Sequence, residues 1–329
     1  MFSRDFIIDP FHDRLVMELI RGVHNLRPAH LGCVATIGNY DGVHLGHRAV
    51  LEQVHNLARP LGLPVTVVTF EPSPQEYFAA EGAPARLSRL PEKLAELAGA
   101  GVDRVLCLRF DRALARLSAT EFVERLLIRG LGVRELVVGD DFRFGRGREG
   151  DFDLLAQIGH QAGFGVHRTR TLTVDGERVS SSRIRSCLAN GDLPQARRLL
   201  GRPYSLCGRV VHGEKLGREL GFPTANLPVR RRVSPLRGIF VVQAQLSHGA
   251  AHAGVASLGT RPTVNGRETL LEVHLLEPAG NLYGRRMRVF FLKHLRDEQR
   301  FESVELMRQQ IALDVQAARD YFSQPGWAE

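Results

Sequence analysis

The stretch Cys33-Val34-Ala35-Thr36-Ile37-Gly38-Asn39-Tyr40-Asp41-Gly42-Val43-His44-Leu45-Gly46-His47 decides how the first half of the chain folds. Its first five residues make the continuous apolar run expected of a strand buried on both faces. Turn-forming Gly, Asn and Asp follow, and helical spacing of apolar residues takes over at 47–59. The alternation recurs downstream, with strand-like runs at 65–70, 104–108 and 135–139 and helical spacing at 89–99 and 118–129. Ser118 and Glu121 fit a capping box at the start of the last of these helices. Strands alternating with helices predict a Rossmann-like α/β domain, a parallel sheet covered on both faces. Ligands of such sheets bind beyond the C-terminal strand ends, at helix N-termini. The pattern His-x-Gly-His at 44–47 falls at such a place.

Two histidines three apart in a first helical turn face one side. Gly46 between them lets a nucleotide approach the backbone closely, and free N–H groups and the helix dipole add positive potential. With Gly38, Asn39 and Asp41 in the preceding loop, the pair suits the phosphates of ATP and charge building on departing pyrophosphate. The competing reading is two surface histidines at a helix start. A second segment, Arg178-Val179-Ser180-Ser181-Ser182-Arg183-Ile184-Arg185, brings arginines and hydroxyls suited to phosphate oxygens. By itself such a cluster is equally a polar loop. The GxGxxG match at Gly145–Gly150 is discounted, because the strand ends at Gly139 and Asp140–Phe144 intervenes. It reads as a flexible basic loop. No Walker A sequence is present.

The pattern changes near residue 200. Asp192, Pro194 and Gln195 open a short helix ended by Gly201. Strand-like runs at 207–212, 239–246, 252–258, 269–276 and 287–292 predict an all-β barrel or sandwich. A final helix carries the stripe Val304, Met307, Ile311, Val315 and Ala318, expected to dock on it. Between Gly208 and Leu227, the loop with Gly208, Gly213, Lys215 and Gly217 offers N–H groups to phosphate. Thr224 and Asn226, two apart on an extended chain, offer hard oxygens suited to Mg²⁺. The alternative is an ordinary Gly-rich turn before a strand. In Leu270–Leu275, Glu272 and His274 share a polar face. A carboxylate there can act as base toward an alcohol, or simply be a solvated strand face.

The 329 residues suggest two domains, and an apolar fraction of 43% supplies their cores. No apolar run is long enough to span a bilayer. Asp5, Asp9, Asp13 and Glu18 argue against a secretory signal. Cys33, Cys107, Cys187 and Cys207 form no CxxC pair and read as reduced thiols of a cytoplasmic protein. The net charge of +8 attracts polyanions in general. Its densest cluster, Arg230-Arg231-Arg232, reads as a solvated loop.

Gly38–His47, Val138–Gly145 and Val179–Arg185 together resemble the adenylyltransferase half of bacterial bifunctional riboflavin kinase/FMN adenylyltransferases, within the HxGH nucleotidylyltransferases. The resemblance implies FMN + ATP → FAD + pyrophosphate. It places His44 and His47 on the ATP phosphates, Asp141 and Phe142 near the flavin, and Arg178, Ser181, Ser182 and Arg185 on the triphosphate side. Tyr40 stands where Phe is commoner, and Ser182 where Thr is commoner. Gly208–Leu227, Leu270–Leu275, Gly254–Thr263, Leu282-Tyr283-Gly284 and Leu295–Glu298 with Phe301 resemble the riboflavin kinase half. That implies a six-stranded β-barrel with a terminal helix and the reaction riboflavin + ATP → FMN + ADP. It implies Mg²⁺ on Thr224 and Asn226, Glu272 as catalytic base, and Arg296, Asp297 and Glu298 near the flavin. Glu277-Pro278 departs from the commoner Asp-Phe. The expected organisation is an adenylyltransferase domain at 1–186, a helical linker at 187–202 and a kinase domain at 203–329. Expected partners are riboflavin, FMN and ATP, without nucleic acid or membrane, and a homo-oligomer is compatible with the sequence. The rival readings are another HxGH nucleotidylyltransferase or a basic RNA-binding regulator.

Overall fold

The apolar runs of the first half line up as the centre of a seven-stranded sheet. The computed structural model describes residues 6–7, 17–79, 82–169, 171–213, 216–229, 231, 233–247, 250–263 and 266–324. It divides into two units, Met1–Pro84 with Leu90–Val179, and Ala85–Arg89 with Ser180–Glu329. In the first unit the strands are β1 (Phe6–Ile7), β2 (Met17–Arg21), β3 (Cys33–Ile37), β4 (Val65–Phe70), β5 (Arg104–Leu108), β6 (Val133–Val138) and β7 (Gly165–Arg168). Their order is β1-β2-β5-β4-β3-β6-β7, with β1 antiparallel to β2 and every other pair parallel.

The strands alternate with α1 (Leu45–Leu61), α2 (Pro74–Ala79), α3 (Leu90–Gly99), α4 (Arg112–Ala115), α5 (Ala119–Phe122) and α6 (Phe152–Ala162). α5 continues directly into a π turn over Val123–Ile128, and the expected Ser118/Glu121 capping box begins it. Pleating sends Val34, Val67 and Val105 toward Leu51, Val54, Leu94 and Leu97 of α1 and α3. It sends Ala35, Val68, Leu106 and Leu136 to the other face, against Phe122, Leu126, Leu127 and Leu155. The chain leaves β3 toward β4 on one side and later returns to its other side as β6. The C-terminal end of β3 is therefore the topological switch point, where an α/β sheet opens a crevice. A short hairpin of β8 (Thr173–Val174) and β9 (Glu177–Arg178) completes this unit.

The second unit starts with α7 (Ser181–Ala189) and α8 (Leu193–Leu200), the latter capped by Asp192 and ended by Gly201 in the left-handed region. Six antiparallel strands follow: β10 (Ser205–Arg209), then after the single turn α9 (Leu216–Glu219), β11 (Ala225–Pro228), β12 (Gly238–Leu246), β13 (Ala251–Thr263), β14 (Gly266–Leu275) and β15 (Arg286–Arg296). Their order is β10-β15-β12-β13-β14-β11. A bridge between Val211 and Asn226 joins the two edges, so the sheet closes nearly into a barrel. Leu206, Phe240, Val242, Leu258, Leu271, Val273, Val289 and Phe291 are buried on one side of the pleat. On the other side Ile239, Val241 and Val255 receive Val315 and Ala318 of α10 (Val304–Ser323).

Three expectations need correction. The apolar stripe of the last helix docks only through its C-terminal half, and Val304 is 61% exposed. Arg231 is no solvated loop residue. It is 8% exposed and donates to the Arg86 and Leu87 carbonyls and to the Tyr204 hydroxyl, pinning the segment Ala85–Arg89 within the second unit. Arg230 and Arg232 lie outside the described residues. The loop Gly145–Gly150 is tied down rather than flexible. Phe144 and Gly150 exchange backbone hydrogen bonds, Arg146 N–H donates to Leu117, and the Glu149 carboxylate accepts from Ala119 N–H.

Two candidate nucleotide sites

His44 and His47 come together at the switch point, by a route the spacing alone did not predict. His44 is not in the helix; it is the extended N-cap of α1, and its Nδ1 accepts from His47 N–H at 3.3 Å. The two imidazoles stack with centroids 3.7 Å apart and an 18° interplanar angle. His44 is 5% exposed. Gly46 is small for a local reason: a Cβ there would sit 3.2 Å from the His44 ring and 3.3 Å from the Val179 carbonyl. Gly38 faces the Tyr40 ring in the same way, and Asn39 offers its carbonyl to the Thr69 hydroxyl at 3.5 Å. Asp41 lies in the same turn, partly buried. A helix N-terminus with two stacked imidazoles favours a polyanion.

Asp141 follows β6 and lies 3.5 Å from the Arg178 guanidinium, with both side chains more than half exposed. Phe142 is half-buried and stacks on Phe144 with centroids 5.4 Å apart. The Arg178–Arg185 segment is split by the division into units, Arg178 falling in the first and Ser181, Ser182 and Arg185 in the second. Ser180 caps α7 by accepting from Arg183 N–H, and Ser181 and Ser182 form the first turn. Arg185 Nε donates to the Ala85 carbonyl at 2.6 Å.

In the barrel, the register places Asn226 directly opposite Glu272, and Glu272 in turn opposite Ser257. These three polar side chains form one row on the face away from Leu271 and Val273. Asn226 is 7% exposed, and its Oδ1 is buried without a hydrogen-bond partner. Its Nδ2 reaches the Thr224 carbonyl at 3.4 Å. The Gly-rich loop backs this row. A Cβ on Gly213 would come within 2.6 Å of Asn226 Oδ1, and one on Gly217 within 3.2 Å of Thr224 Oγ1. Gly208 is part of β10 and packs on Leu227. Lys215 lies outside the described residues. His274 does not join Glu272; its Nδ1 is 2.9 Å from the Pro223 carbonyl and its ring meets Phe222 edge-on.

The expected flavin residues at the end of β15 have structural partners. Arg296 makes a two-pronged ion pair with Asp314 of α10, Nε to Oδ1 at 3.0 Å and Nη2 to Oδ2 at 2.7 Å. Exposed Asp297 lies 3.4 Å from His294 Nε2, and the Glu298 carboxylate rests against Gly259. Glu277 and Pro278 are exposed in the turn after β14.

Sequence reasoning missed two aromatic groups. Tyr77, Phe78 and Phe110 pack edge-on beyond the C-terminal ends of β4 and β5, with centroids 5.1 to 5.7 Å apart, and Phe78 is 70% exposed. In the barrel, His212 stacks on Tyr283 at 3.8 Å, next to Gly213.

A stacked HxGH pair at the switch point of a parallel sheet, and an oxygen-lined row on an antiparallel barrel, are the two candidate nucleotide sites of the chain. The comparisons agree half by half. The FAD synthetase family matches residues 26–183 and the riboflavin kinase family residues 200–322. Bifunctional riboflavin kinase/FMN adenylyltransferases from Pseudomonas fluorescens and Escherichia coli K12 are 54% and 52% identical to it. They align over 92% and 93% of this chain and 97% and 98% of theirs. A solved structure described as a macrolide-efflux protein from Streptococcus pneumoniae is 28% identical with a TM-score of 0.78, covering 92% of this chain and 98% of that one. The chain belongs to the bifunctional riboflavin kinase/FMN adenylyltransferase family.

Proposed function

We propose that the barrel residues Glu272, Asn226 and Thr224 carry phosphoryl transfer and that His44 and His47 carry adenylyl transfer. The chain is an enzyme with both activities of its family, phosphorylating riboflavin to FMN with ATP and adenylylating FMN to FAD with release of pyrophosphate. The family matches in both halves disfavour a different HxGH nucleotidylyltransferase and an RNA-binding regulator. The reading assigns adenylyl transfer to 1–186, a helical linker to 187–202 and phosphoryl transfer to 203–329.

For phosphoryl transfer the supporting observation is the Asn226–Glu272 pairing. Glu272 accepts the proton of the ribityl 5′-hydroxyl as that oxygen attacks the γ-phosphorus of ATP. Asn226 Oδ1, buried and without a partner, is a hard oxygen of the kind Mg²⁺ takes, and Thr224 Oγ1 is a second. When bound, Mg²⁺ supplies positive charge against the phosphate oxygens. The N–H groups around Gly213 and Gly217 complete the phosphate cradle, and Gly208 on β10 and Lys215 are assigned to the same nucleotide. The His212–Tyr283 stack offers a flat face to a nucleobase. Arg296, Asp297 and Glu298 border the flavin.

For adenylyl transfer the supporting observation is the stacked His44–His47 pair at the start of α1. The FMN phosphate is already ionised and attacks the α-phosphorus without a strong base. The work is therefore positioning and stabilisation of charge on the departing pyrophosphate. His44, His47, Gly38, Asn39, Asp41 and Gly46 hold the nucleotide, and Arg178 of the same unit serves the triphosphate. Asp141 and Phe142 border the flavin, and the aromatic cluster of Tyr77, Phe78 and Phe110 suits a planar ring system.

A cytoplasmic location fits the absence, among the described residues, of a helix long and apolar enough to cross a membrane. Removing divalent cations with EDTA tests the metal assignment: FMN formation stops and returns on adding Mg²⁺, and undiminished turnover without the cation would refute it.

A further inference from the structure

We infer that Arg209 and Arg286 form an anion-receiving rim of the barrel site, drawing the triphosphate of ATP toward the Asn226–Glu272 row. This rests on the reading of that row as the site of phosphoryl transfer.

Arg209 on β10 and Arg286 on β15 stand directly opposite each other in the antiparallel ladder, and both side chains are exposed. Like charges in that position repel and destabilise the pairing. Among the described residues neither has a carboxylate partner. Arg209 Nη1 donates to the Gly284 carbonyl at 2.7 Å, and the Arg286 side chain makes no hydrogen bond or ion pair. Exposed Arg125, Arg143 and Arg168, by contrast, pair with Glu121, Asp151 and Asp153. A repulsive pair left without counter-charge is a place where an anion lowers the energy.

The register shows which face the pair occupies. The neighbouring pairs, Gly208 opposite Met287 and Leu206 opposite Val289, point into the barrel, where Leu206, Met287 and Val289 are buried. Arg209 and Arg286 therefore lie on the outer face. Two residues beyond Arg209, on that same face, Val211 bridges to Asn226 and joins the edges of the sheet. Asn226 and Glu272 share this face too, since the flanking pairs Leu227–Leu271 and Ala225–Val273 are buried inside. The arginine pair thus begins about 7 Å along the strand from the bridge, on the surface that carries the row. Gly284, whose carbonyl Arg209 holds, follows Tyr283, and Tyr283 stacks on His212 beside Gly213. Two guanidinium groups so placed offer paired donors to phosphate oxygens, and their field acts on the nucleotide before it docks. Riboflavin is uncharged and feels no such pull.

The test measures riboflavin phosphorylation by the full-length parent, Arg286→Gln, Arg286→Lys and the double variant Arg209→Gln/Arg286→Gln. KM for ATP and KM for riboflavin are determined separately over a range of ionic strength. Arg286→Gln should lower kcat/KM for ATP about threefold to tenfold, and the double variant further, with kcat and KM for riboflavin unchanged. Added salt should erase the difference from the parent, because it screens exposed charges. Arg286→Lys should recover most of the loss. Thermal stability should not fall in Arg286→Gln, because the replacement removes a repulsion. An unchanged kcat/KM for ATP, a loss shared equally by riboflavin, or a loss that survives high salt would overturn the inference in favour of an ordinary solvated strand end. Asn226→Ala run in parallel separates the two levels. A parental kinase rate and Mg²⁺ requirement in that variant would refute the reading of the row itself, whereas impairment there with silent arginine variants would refute the rim alone.

Discussion

Asn226 on β11 and Glu272 on β14 oppose each other directly across one antiparallel pair, and Asn226 Oδ1 is buried without a hydrogen-bond partner. Leaving such an atom unpaired costs free energy, which a cation or substrate group can recover. Glu272→Gln keeps size and polarity and removes the base. It should lower the rate of FMN formation by about 10²-fold or more, the usual contribution of a general base. Asn226→Ala should raise the Mg²⁺ concentration needed for half-maximal kinase rate. FAD synthesis from supplied FMN should be unaffected in both, which a chromatographic assay with each substrate reads directly.

Gly213 is held to glycine by its neighbour. A Cβ there would press within 2.6 Å of Asn226 Oδ1. Gly213→Ala should therefore impair the kinase reaction about as much as Asn226→Ala, while thermal stability moves little. Wild-type kinase activity in Gly213→Ala would show that Asn226 has freedom the geometry denies it.

The Arg296–Asp314 pair ties the last strand of the barrel to α10, and the Asp314 side chain is 7% exposed against 19% for Arg296. Removing one partner leaves the other charge buried and uncompensated, at about 3–5 kcal/mol. Asp314→Ala should lower the denaturant midpoint of the barrel accordingly. A loss of stability below about 1 kcal/mol would mark the pair as an ordinary surface contact.

Stability should also fall at alkaline pH for an identifiable reason. Burial pushes the Cys33 thiol from its ordinary 9.0 up to about 11, and Cys107 is raised by the same cause. Below pH 9.0 both folded and unfolded chains keep the Cys33 proton, so this contribution is fully present. Between pH 9.0 and about 11 the unfolded thiol ionises while the folded one does not, so stability declines as pH rises. Cys33→Ala should flatten that decline in urea titrations across the window. An unchanged slope would mean that Cys33 does not contribute.

The strands of the parallel sheet were legible because burial on both faces forces continuous apolar runs. Those at Cys33–Ile37, Val65–Phe70 and Arg104–Leu108 have the expected ends. β2, with Glu18 and Arg21 in it, and the four-residue β11 lack that signature. The histidine pair was legible, but its N-cap geometry was not, since His44 closes the helix start from outside. Arg231 looked solvated because its partners, two carbonyls more than 100 residues away and the Tyr204 hydroxyl, lie beyond any local pattern. The Tyr77, Phe78 and Phe110 cluster was likewise invisible, because it exists only once β4 and β5 lie side by side.

The most direct test of the two-site account is a time course of flavin products from riboflavin, ATP and Mg²⁺, run with the parent protein, Glu272→Gln and His47→Ala. The parent should give FMN first and FAD later. Glu272→Gln should form FAD only when FMN is supplied, and His47→Ala should stop at FMN. Loss of both products in either variant, with its fold intact, would contradict the assignment of one reaction to each site.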